Sequence, residues 1–141
     1  PHRRTVVGQW GGVTWVDDSK ATNPHAALAA TRAYPSVVLI AGGRNKGLDL
    51  GPLTAAETVK HIVAIGESRH DLVAAARYAG QVSAVDSLDE AIATARSVAR
   101  PGDTVLLAPG CASFDMFSSY GDRGDAFAEA ARRQNETADS R

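Results

Sequence analysis

Carboxylate, hydroxyl, amine and amide side chains stand together within residues 17–24, Asp-Asp-Ser-Lys-Ala-Thr-Asn-Pro. This stretch follows an alternating apolar run at 13–16 that is typical of a strand, and it precedes an alanine-rich segment that is typical of a helix. A strand-to-helix turn is where α/β proteins bind ligands, because the helix N-terminus offers free N–H groups and the positive end of its dipole. The sequence therefore predicts a ligand site at this turn.

Helix capping explains the end of the stretch without any ligand. Asn23 is a good N-cap, and Pro24 then occupies the first helical position. Capping leaves Asp18, Lys20 and Thr22 unexplained, so these three side chains remain candidates for binding.

Two more polar loops follow apolar strands. Residues 37–41 and 104–108 are continuous apolar runs that predict strands buried on both faces of a parallel sheet. Parallel strands end at the same edge of such a sheet, so the loops after Val16, Ala41 and Ala108 are expected to face one crevice. Between them these loops offer Asp18, Lys20, Thr22, Lys46, Ser113 and Asp115 as candidate site residues.

The glycine-rich loop at 42–47 matches no standard phosphate-binding motif. Leu48 stands where a Walker A motif has its lysine, and the glycines are not spaced as GxGxxG. Two interpretations stay open: a flexible turn that aims Lys46 at a carboxylate or phosphate, or a glycine turn that carries a solvated lysine.

The cysteine and the histidines do not form a recognisable catalytic or metal-binding pattern. A nucleophilic Cys111 would need a low thiolate pKa and a nearby base, and the sequence places none of the four histidines as that base. A small buried cysteine is the better interpretation. The histidines lack ligand spacing, so no metal site is predicted.

Length and composition restrict the class of protein. The 141 residues, 44% hydrophobic and 22% charged, suit one globular domain with a real core. The net charge of -1 gives no footprint for nucleic acid or an anionic membrane, and no apolar run approaches transmembrane length. The single cysteine suits a reducing cytoplasm. A start at Pro1 without methionine suggests a domain cut from a longer protein.

Strand patterns alternate with helix patterns along the rest of the chain. A β-hairpin is expected from 5–10 and 12–17, and further strands at 37–41, 61–66, 82–85 and 104–108. Helices are expected at 24–34, 52–60, 68–79, 87–98 and 122–135, with Ser68 and Ser87 as caps, before a polar tail at 136–141. The prediction is an α/β fold: a doubly wound, mostly parallel sheet with an N-terminal β-hairpin and helices on both faces.

These motifs together resemble the C-terminal domain of the Mur ligases, and most of all its D-glutamate-adding members. The resemblance covers nearly all of the chain. It is carried by His2-Arg3, Asp18-Ser19-Lys20-Ala21-Thr22-Asn23, Gly42-Gly43-x-x-Lys46, Leu106-Leu107-x-Pro109-x-Cys111-Ala112-Ser113-Phe114-Asp115-x-Phe117, Tyr120 and Arg123-Gly124. It implies a Rossmann-like, amino-acid-binding domain at 1–141, with the N-terminal UDP-binding and central ATPase domains absent from this chain.

The resemblance implies an ATP-dependent ligase of peptidoglycan synthesis. Such an enzyme joins D-glutamate to UDP-N-acetylmuramoyl-L-alanine through an acyl phosphate, in the cytoplasm. ATP and Mg²⁺ are the implied cofactors, with the metal ligands in the absent central domain. Neither nucleic acid nor a membrane is an implied partner, and the chain is expected to be monomeric and, as an isolated domain, inactive.

Site residues follow from their positions in the motifs. The resemblance assigns the D-glutamate pocket to Thr22, Lys46, Ser113, Phe114 and Tyr120. It assigns the nucleotide side to His2, Arg3, Asp18 and Lys20, with Lys20 as the catalytic residue that neutralises phosphate charge and Asp18 as an acceptor for ribose or a group that orients Lys20.

The chain departs modestly from the family's pattern. Phe114 stands where a smaller aliphatic residue can occur and Tyr120 where phenylalanine can, while Arg44-Asn45 is not a fixed spelling. Two alternatives stay open: the C-terminal domain of a sister ligase for another amino acid, and a non-catalytic nucleotide- or anion-binding module. The Ser-Lys-Ala-Thr-Asn loop favours D-glutamate, because sister ligases and folylpolyglutamate synthetases usually have a histidine-containing loop there.

Overall fold

The computed structural model of the chain describes residues 1–45, 47–113 and 116–139. Residues 138 and 139 are described by their backbone only. The strands are β1 (Thr5–Trp10), β2 (Val13–Asp17), β3 (Val37–Gly42), β4 (Val59–Ile65), β5 (Val82–Ala84) and β6 (Thr104–Leu107). They form one sheet in the order β1-β2-β6-β3-β4-β5. β1 runs antiparallel to β2, and the other described pairings are parallel.

Helices cover both faces of this sheet. They are α1 (Pro24–Thr31), α2 (Gly51–Thr54), α3 (Arg69–Ala74), α4 (Leu88–Val98) and α5 (Tyr120–Asp139). The predicted α/β fold with an N-terminal hairpin is confirmed. No helix in the described part of the chain has the length and apolar character needed to cross a membrane.

Strand β3 shows how the sheet supports two separate cores. All six of its residues are buried, as its continuous apolar run predicts. Because side chains alternate along a strand, Val38 and Ile40 pack in the core that contains α4 and α5. Leu39 and Ala41 pack in the opposite core, which contains α1, α2 and α3. Both faces must be covered for this strand to be stable.

The predicted helix over 52–60 is wrong in its C-terminal half. Helix α2 ends at Thr54, and β4 already begins at Val59. Val59 pairs with Val37 of β3, so strand pairing overrides the helix propensity of the alanines and glutamate that precede it. Lys60 consequently belongs to a strand.

Two other helices also end earlier than predicted. Helix α1 ends at Thr31 rather than near residue 34, and α3 ends at Ala74 rather than near residue 79. Beyond α3, the side-chain oxygen of Gln81 accepts the N–H of Arg77 at 2.8 Å, and its amide nitrogen donates to the carbonyl of Thr54 at 2.7 Å. The side-chain amide of Gln81 therefore binds the N–H of Arg77, which in the predicted helix would donate to a backbone carbonyl.

The last helix is longer than predicted, extending over Tyr120–Asp139. Its apolar face is as expected, since Phe127, Ala130 and Ala131 are buried. The predicted polar tail is wrong for residues 136–139, which continue the helix. A helical turn in contact with solvent can carry polar side chains, so the polar residues after Asn135 do not end α5.

Helix capping follows the sequence at two positions. The side chain of Asn23 accepts the N–H of Ala26 at 2.9 Å, and Ser87 Oγ accepts the N–H of Glu90 at 3.1 Å. The spacing of Ser87 and Glu90 also predicts a capping box, in which the Glu90 carboxylate accepts the N–H of Ser87. In the structure Glu90 Oε2 instead accepts the N–H of Asp86, at 3.2 Å.

Asp103 joins several segments at the amino end of the parallel strands. One carboxylate oxygen accepts the Ser36 hydroxyl at 2.7 Å, and the other accepts the N–H of Arg100 at 2.7 Å and pairs with Lys60. Burial raises the pKa of Asp103, but the hydrogen bonds from Lys60, Arg100 and Ser36 outweigh it, so the pKa lies below its usual value. The ionised carboxylate therefore stabilises the fold.

We expect Asp103→Asn to lower the free energy of unfolding by about 2 kcal/mol at pH 7, because bonds to a charged acceptor are lost. Since the folded pKa lies below the unfolded value, the charge contributes fully above about pH 4. Its contribution disappears as the pH falls through the folded pKa, so the difference between the two proteins should shrink there. Urea denaturation at several pH values measures this.

Asp89→Asn is the matched control, because Asp89 makes an exposed pair with Arg133. We expect it to change the free energy of unfolding by less than about 0.5 kcal/mol. A deficit for Asp103→Asn that stays constant with pH would contradict a role for the charge.

Candidate functional site

The loops that follow β2, β6 and β3 meet at the carboxyl edge of the sheet, since these three strands are neighbours. The N–H of Gly110 donates to the carbonyl of Ala21 at 2.9 Å. Arg44 and Ala112 exchange two backbone hydrogen bonds, at 2.9 and 3.1 Å. The predicted meeting of these three loops at one edge of the sheet is therefore confirmed.

A small cavity of about 130 Å³ lies where the three loops meet. Thr22 of the β2 loop lines it together with Arg44, Asn45, Leu48 and residues 110–112. Arg44 supplies the one charged side chain among these lining residues, so the cavity is electrostatically suited to an anion. Three residues of the same loops that the sequence analysis considered, Lys46, Phe114 and Asp115, lie outside the described residues.

A larger cleft of about 380 Å³ lies between the N-terminal segment, the β2 loop and α1. Arg3, Arg4 and Lys20 bring three cations to it, and Asp18 brings a carboxylate. This donor set suits phosphate oxygens rather than a divalent cation, which takes several oxygen ligands. No group of three or more His, Cys, Asp or Glu side chains that could hold a metal occurs among the described residues.

The cleft brings together three of the predicted nucleotide-side residues: Arg3, Asp18 and Lys20. It adds Arg4, whose only signal in the sequence was its place in a basic pair. Burial raises the pKa of Asp18 and outweighs the N–H of Arg4 and the charges of Arg4 and Arg3, which lower it. A partly desolvated carboxylate among cations is typical of functional sites.

His2 does not line the cleft with its neighbour Arg3. Its Nδ1 lies 2.7 Å from Asp17 Oδ2, and its Nε2 lies 3.6 Å from Asp125 Oδ1. The ring meets Tyr120 edge-on, with centroids 6.2 Å apart. His2 reaches the β2 loop through its backbone instead, because its carbonyl accepts the N–H of Lys20 at 3.0 Å.

Gly124 makes the contact between His2 and Asp17 possible. A Cβ built on Gly124 would lie 2.6 Å from Asp17 Oδ2 and would overlap His2 Nδ1. Glycine is therefore needed at this position because the side chains of His2 and Asp17 come close to helix α5. The sequence alone gives no sign of this contact.

Arg123 connects the β2 and β6 loops from within α5. The residue is 1% exposed. Its Nε donates to Ser19 Oγ at 2.8 Å, Nη2 to the Ser19 carbonyl at 2.9 Å, and Nη1 to the Cys111 carbonyl at 3.1 Å. Ser19 Oγ in turn donates to the carbonyl of Tyr120 at 2.7 Å. Arg123 and Ser19 lie within the motifs, but their pairing could not be deduced from sequence.

Ser68 occupies the N-cap position of α3 as predicted, but its hydroxyl makes no cap bond and instead holds the glycine-rich loop. Its hydroxyl accepts the N–H of Gly43 at 3.1 Å, and its own N–H donates to the Gly43 carbonyl at 3.0 Å. Gly43 has a φ of 135°, and a Cβ there would overlap the Ala112 carbonyl oxygen. The start of this loop is consequently held on both sides, so the interpretation as a freely flexible turn does not apply to Gly43.

Two further predicted residues, Ser113 and Tyr120, are not among the residues that line the cavity. Ser113 is buried, and its carbonyl accepts the N–H groups of Met116 at 3.1 Å and Phe117 at 2.9 Å. Tyr120, the first residue of α5, is 39% exposed. Cys111 is buried, with its sulfur 3.5 Å from Ser68 Oγ, as expected for a small buried residue.

Comparison with known proteins identifies related domains. A family model described as "Mur ligase, glutamate ligase domain" matches residues 2–111. The UDP-N-acetylmuramoylalanine--D-glutamate ligase of Frankia casuarinae is 51% identical over 136 residues, which cover 93% of this chain and 29% of that protein. The ligase of the same name from Streptomyces coelicolor is 49% identical over 141 residues, covering 93% and 30%. The chain thus spans about 30% of the length of these curated relatives.

Solved structures share the fold at low sequence identity. The MurF ligase of Thermotoga maritima in complex with ADP has a TM-score of 0.64 and 17% identity, covering 98% of this chain and 32% of that chain. A murein peptide ligase from Psychrobacter arcticus has a TM-score of 0.64 and 16% identity, covering 92% and 30%.

We expect Arg123→Lys to lower the free energy of unfolding by about 3 kcal/mol. A lysine ammonium cannot bond at the same time to the hydroxyl and carbonyl of Ser19 and to the carbonyl of Cys111, so buried acceptors lose their partners. Urea denaturation gives the value. Arg133→Lys is the matched control on the same helix, since its exposed pair with Asp89 should be worth less than about 1 kcal/mol. Similar losses from both variants would contradict the role assigned to Arg123.

Gly124→Ala should cost about 2 kcal/mol of unfolding free energy, because the added methyl forces His2 away from Asp17. The NMR signals of the His2 ring should shift at the same time. Gly121→Ala in the same helix is the control, since the nearest atom to its Cβ would lie 3.6 Å away. That change should be neutral or stabilising by up to about 1 kcal/mol. An unshifted His2 ring in Gly124→Ala would refute this explanation.

Proposed function

The chain belongs to the Mur ligase family as its C-terminal, glutamate ligase domain, and from this we propose that it binds D-glutamate and closes over ATP in a D-glutamate-adding ligase. The observation that carries the proposal is identity of about 50% with UDP-N-acetylmuramoylalanine--D-glutamate ligases over 93% of the chain. The arrangement of the two cavities beside the β2 loop agrees with a domain that handles two substrates.

In the proposed reaction, ATP phosphorylates the carboxylate of UDP-N-acetylmuramoyl-L-alanine to an acyl phosphate and leaves as ADP. The amine of D-glutamate then attacks the acyl carbon, an amide bond forms, and phosphate departs. Phosphoryl transfer depends chiefly on positioning and charge neutralisation. A domain that closes over the nucleotide can supply both.

The small cavity supports a D-glutamate position beside Thr22. A dicarboxylate needs cations together with hydroxyl and backbone donors, and this cavity offers the Thr22 hydroxyl and the Arg44 guanidinium. We propose that Lys46, Ser113, Phe114 and Tyr120 complete the pocket, as the family resemblance implies.

The larger cleft supports a nucleotide position. Lys20 with Arg3 and Arg4 would neutralise phosphate charge, and Asp18 would accept from the ribose or orient Lys20. His2 would contribute through its backbone carbonyl, which accepts the N–H of Lys20 and so keeps Lys20 close to Arg3.

The rest of the proposed active site lies outside this chain. The 141 residues contain no Walker A motif. We propose that a UDP-binding domain and a central ATPase domain, which carries the Mg²⁺ ligands, complete a monomeric cytoplasmic enzyme. Mg²⁺ would screen the phosphates when bound there.

The test is D-glutamate-dependent phosphate release by the full-length enzyme that contains this chain. Lys46→Ala should raise the KM for D-glutamate by roughly 10-fold or more, the value of a lost charge-assisted bond, and should raise the KM for ATP much less. Lys20→Ala should chiefly impair the use of ATP. Equal effects of Lys46→Ala on both substrates would count against Lys46 in the amino-acid pocket.

Substrate exchange separates the alternatives. Activity with L-lysine, diaminopimelate or L-alanine in place of D-glutamate would assign the chain to a sister ligase. ATP binding without phosphate release under any of these conditions would favour a non-catalytic module. The 141-residue chain alone should release no phosphate, and ligation by it would overturn the proposed division among domains.

A further inference from the structure

We propose that Arg44 binds the side-chain carboxylate of D-glutamate and so selects a dicarboxylate over an amino acid with a single carboxylate. The inference rests on the proposed function and deepens it. Arg44 belongs to the variable part of the glycine-rich motif, so the resemblance itself assigns it no role.

The backbone of Arg44 is held firmly at the cavity. Its N–H and carbonyl both bond to Ala112 of the β6 loop. The preceding residue, Gly43, bonds twice to Ser68. Because its main chain is tied to two neighbouring loops, Arg44 projects from a rigid base, which reduces the entropy lost when a ligand binds.

Within the described part of the chain, the guanidinium of Arg44 makes one side-chain contact, through Nη2. Among the described residues its side-chain partner is Glu67, with Nη2 3.4 Å from Oε1. Charge-assisted bonds are usually about 2.7–2.9 Å long, and both side chains are about half exposed, at 49% and 58%. Such an exposed, long pair contributes little, so a carboxylate of the ligand can replace Glu67.

The lining of the cavity favours a carboxylate at this point. Arg44 faces no carboxylate among the described lining residues, and Thr22 supplies a hydroxyl from the opposite loop. A guanidinium can bind a carboxylate through two parallel bonds, which selects for its planar shape. Arg44 therefore provides a cation for the side-chain carboxylate that D-glutamate carries in addition to its α-carboxylate.

The experiment is an NMR titration of the ¹⁵N-labelled 141-residue chain with D-glutamate and with D-glutamine, which replaces the side-chain carboxylate by an amide. The unmodified chain should bind D-glutamate about tenfold more tightly than D-glutamine. Arg44→Ala should bring the two affinities within about twofold, whereas Arg44→Lys should keep part of the preference.

Two further variants test whether the effect is specific to the guanidinium of Arg44. Arg32→Ala removes an exposed arginine just beyond α1 and should leave the preference unchanged. Glu67→Gln removes the competing carboxylate and should tighten D-glutamate binding by about twofold. If Arg44→Ala fails to fold, Arg44→Gln serves in its place and should likewise lose the preference.

The outcomes separate this inference from the proposed function. An unchanged preference in a folded Arg44→Ala or Arg44→Gln chain overturns the role of Arg44 and leaves D-glutamate binding intact. If the unmodified chain binds neither amino acid, this inference fails, and the proposed function is then judged by phosphate release from the full-length enzyme.

Discussion

The buried guanidinium of Arg123 is the contact on which the candidate site depends. Its Nε donates to the Oγ of Ser19, a residue 104 positions away in the chain. Through the carbonyls of Ser19 and Cys111 it also holds the β2 and β6 loops together. A buried charge is tolerated only when hydrogen bonds satisfy it. The loops that line both cavities are therefore kept in place by the helix that closes the chain.

The β2 loop serves two cavities with alternate parts of one short segment. Asp18 and Lys20 line the larger cleft, and Thr22 lines the smaller cavity. The intervening Ala21 is buried, and its carbonyl accepts the N–H of Gly110. Two ligands bound at these cavities would meet at this loop, which agrees with the function proposed above.

Close approaches set the shape of the site as much as polar contacts do. Gly43 leaves room for the carbonyl of Ala112, and Gly124 leaves room for the pair formed by His2 and Asp17. Each glycine lies where two segments distant in sequence touch. A single methyl group at either position would overlap an atom of the neighbouring segment.

The sequence by itself determined the positions of the strands along the chain, the hairpin, the buried strands and the edge at which the polar loops gather, because hydrophobic periodicity acts over a few residues. The order of the strands in the sheet came only from the tertiary structure. The sequence also marked Asp18 and Lys20 by their chemistry and Arg3 through the family resemblance, and the structure brings all three to one cleft. Only the tertiary structure decided that Val59 lies in a strand, that Ser68 holds Gly43, and that His2 turns to Asp17. Those outcomes depend on pairings between residues 15 or more positions apart, and local propensity carries no information about such partners.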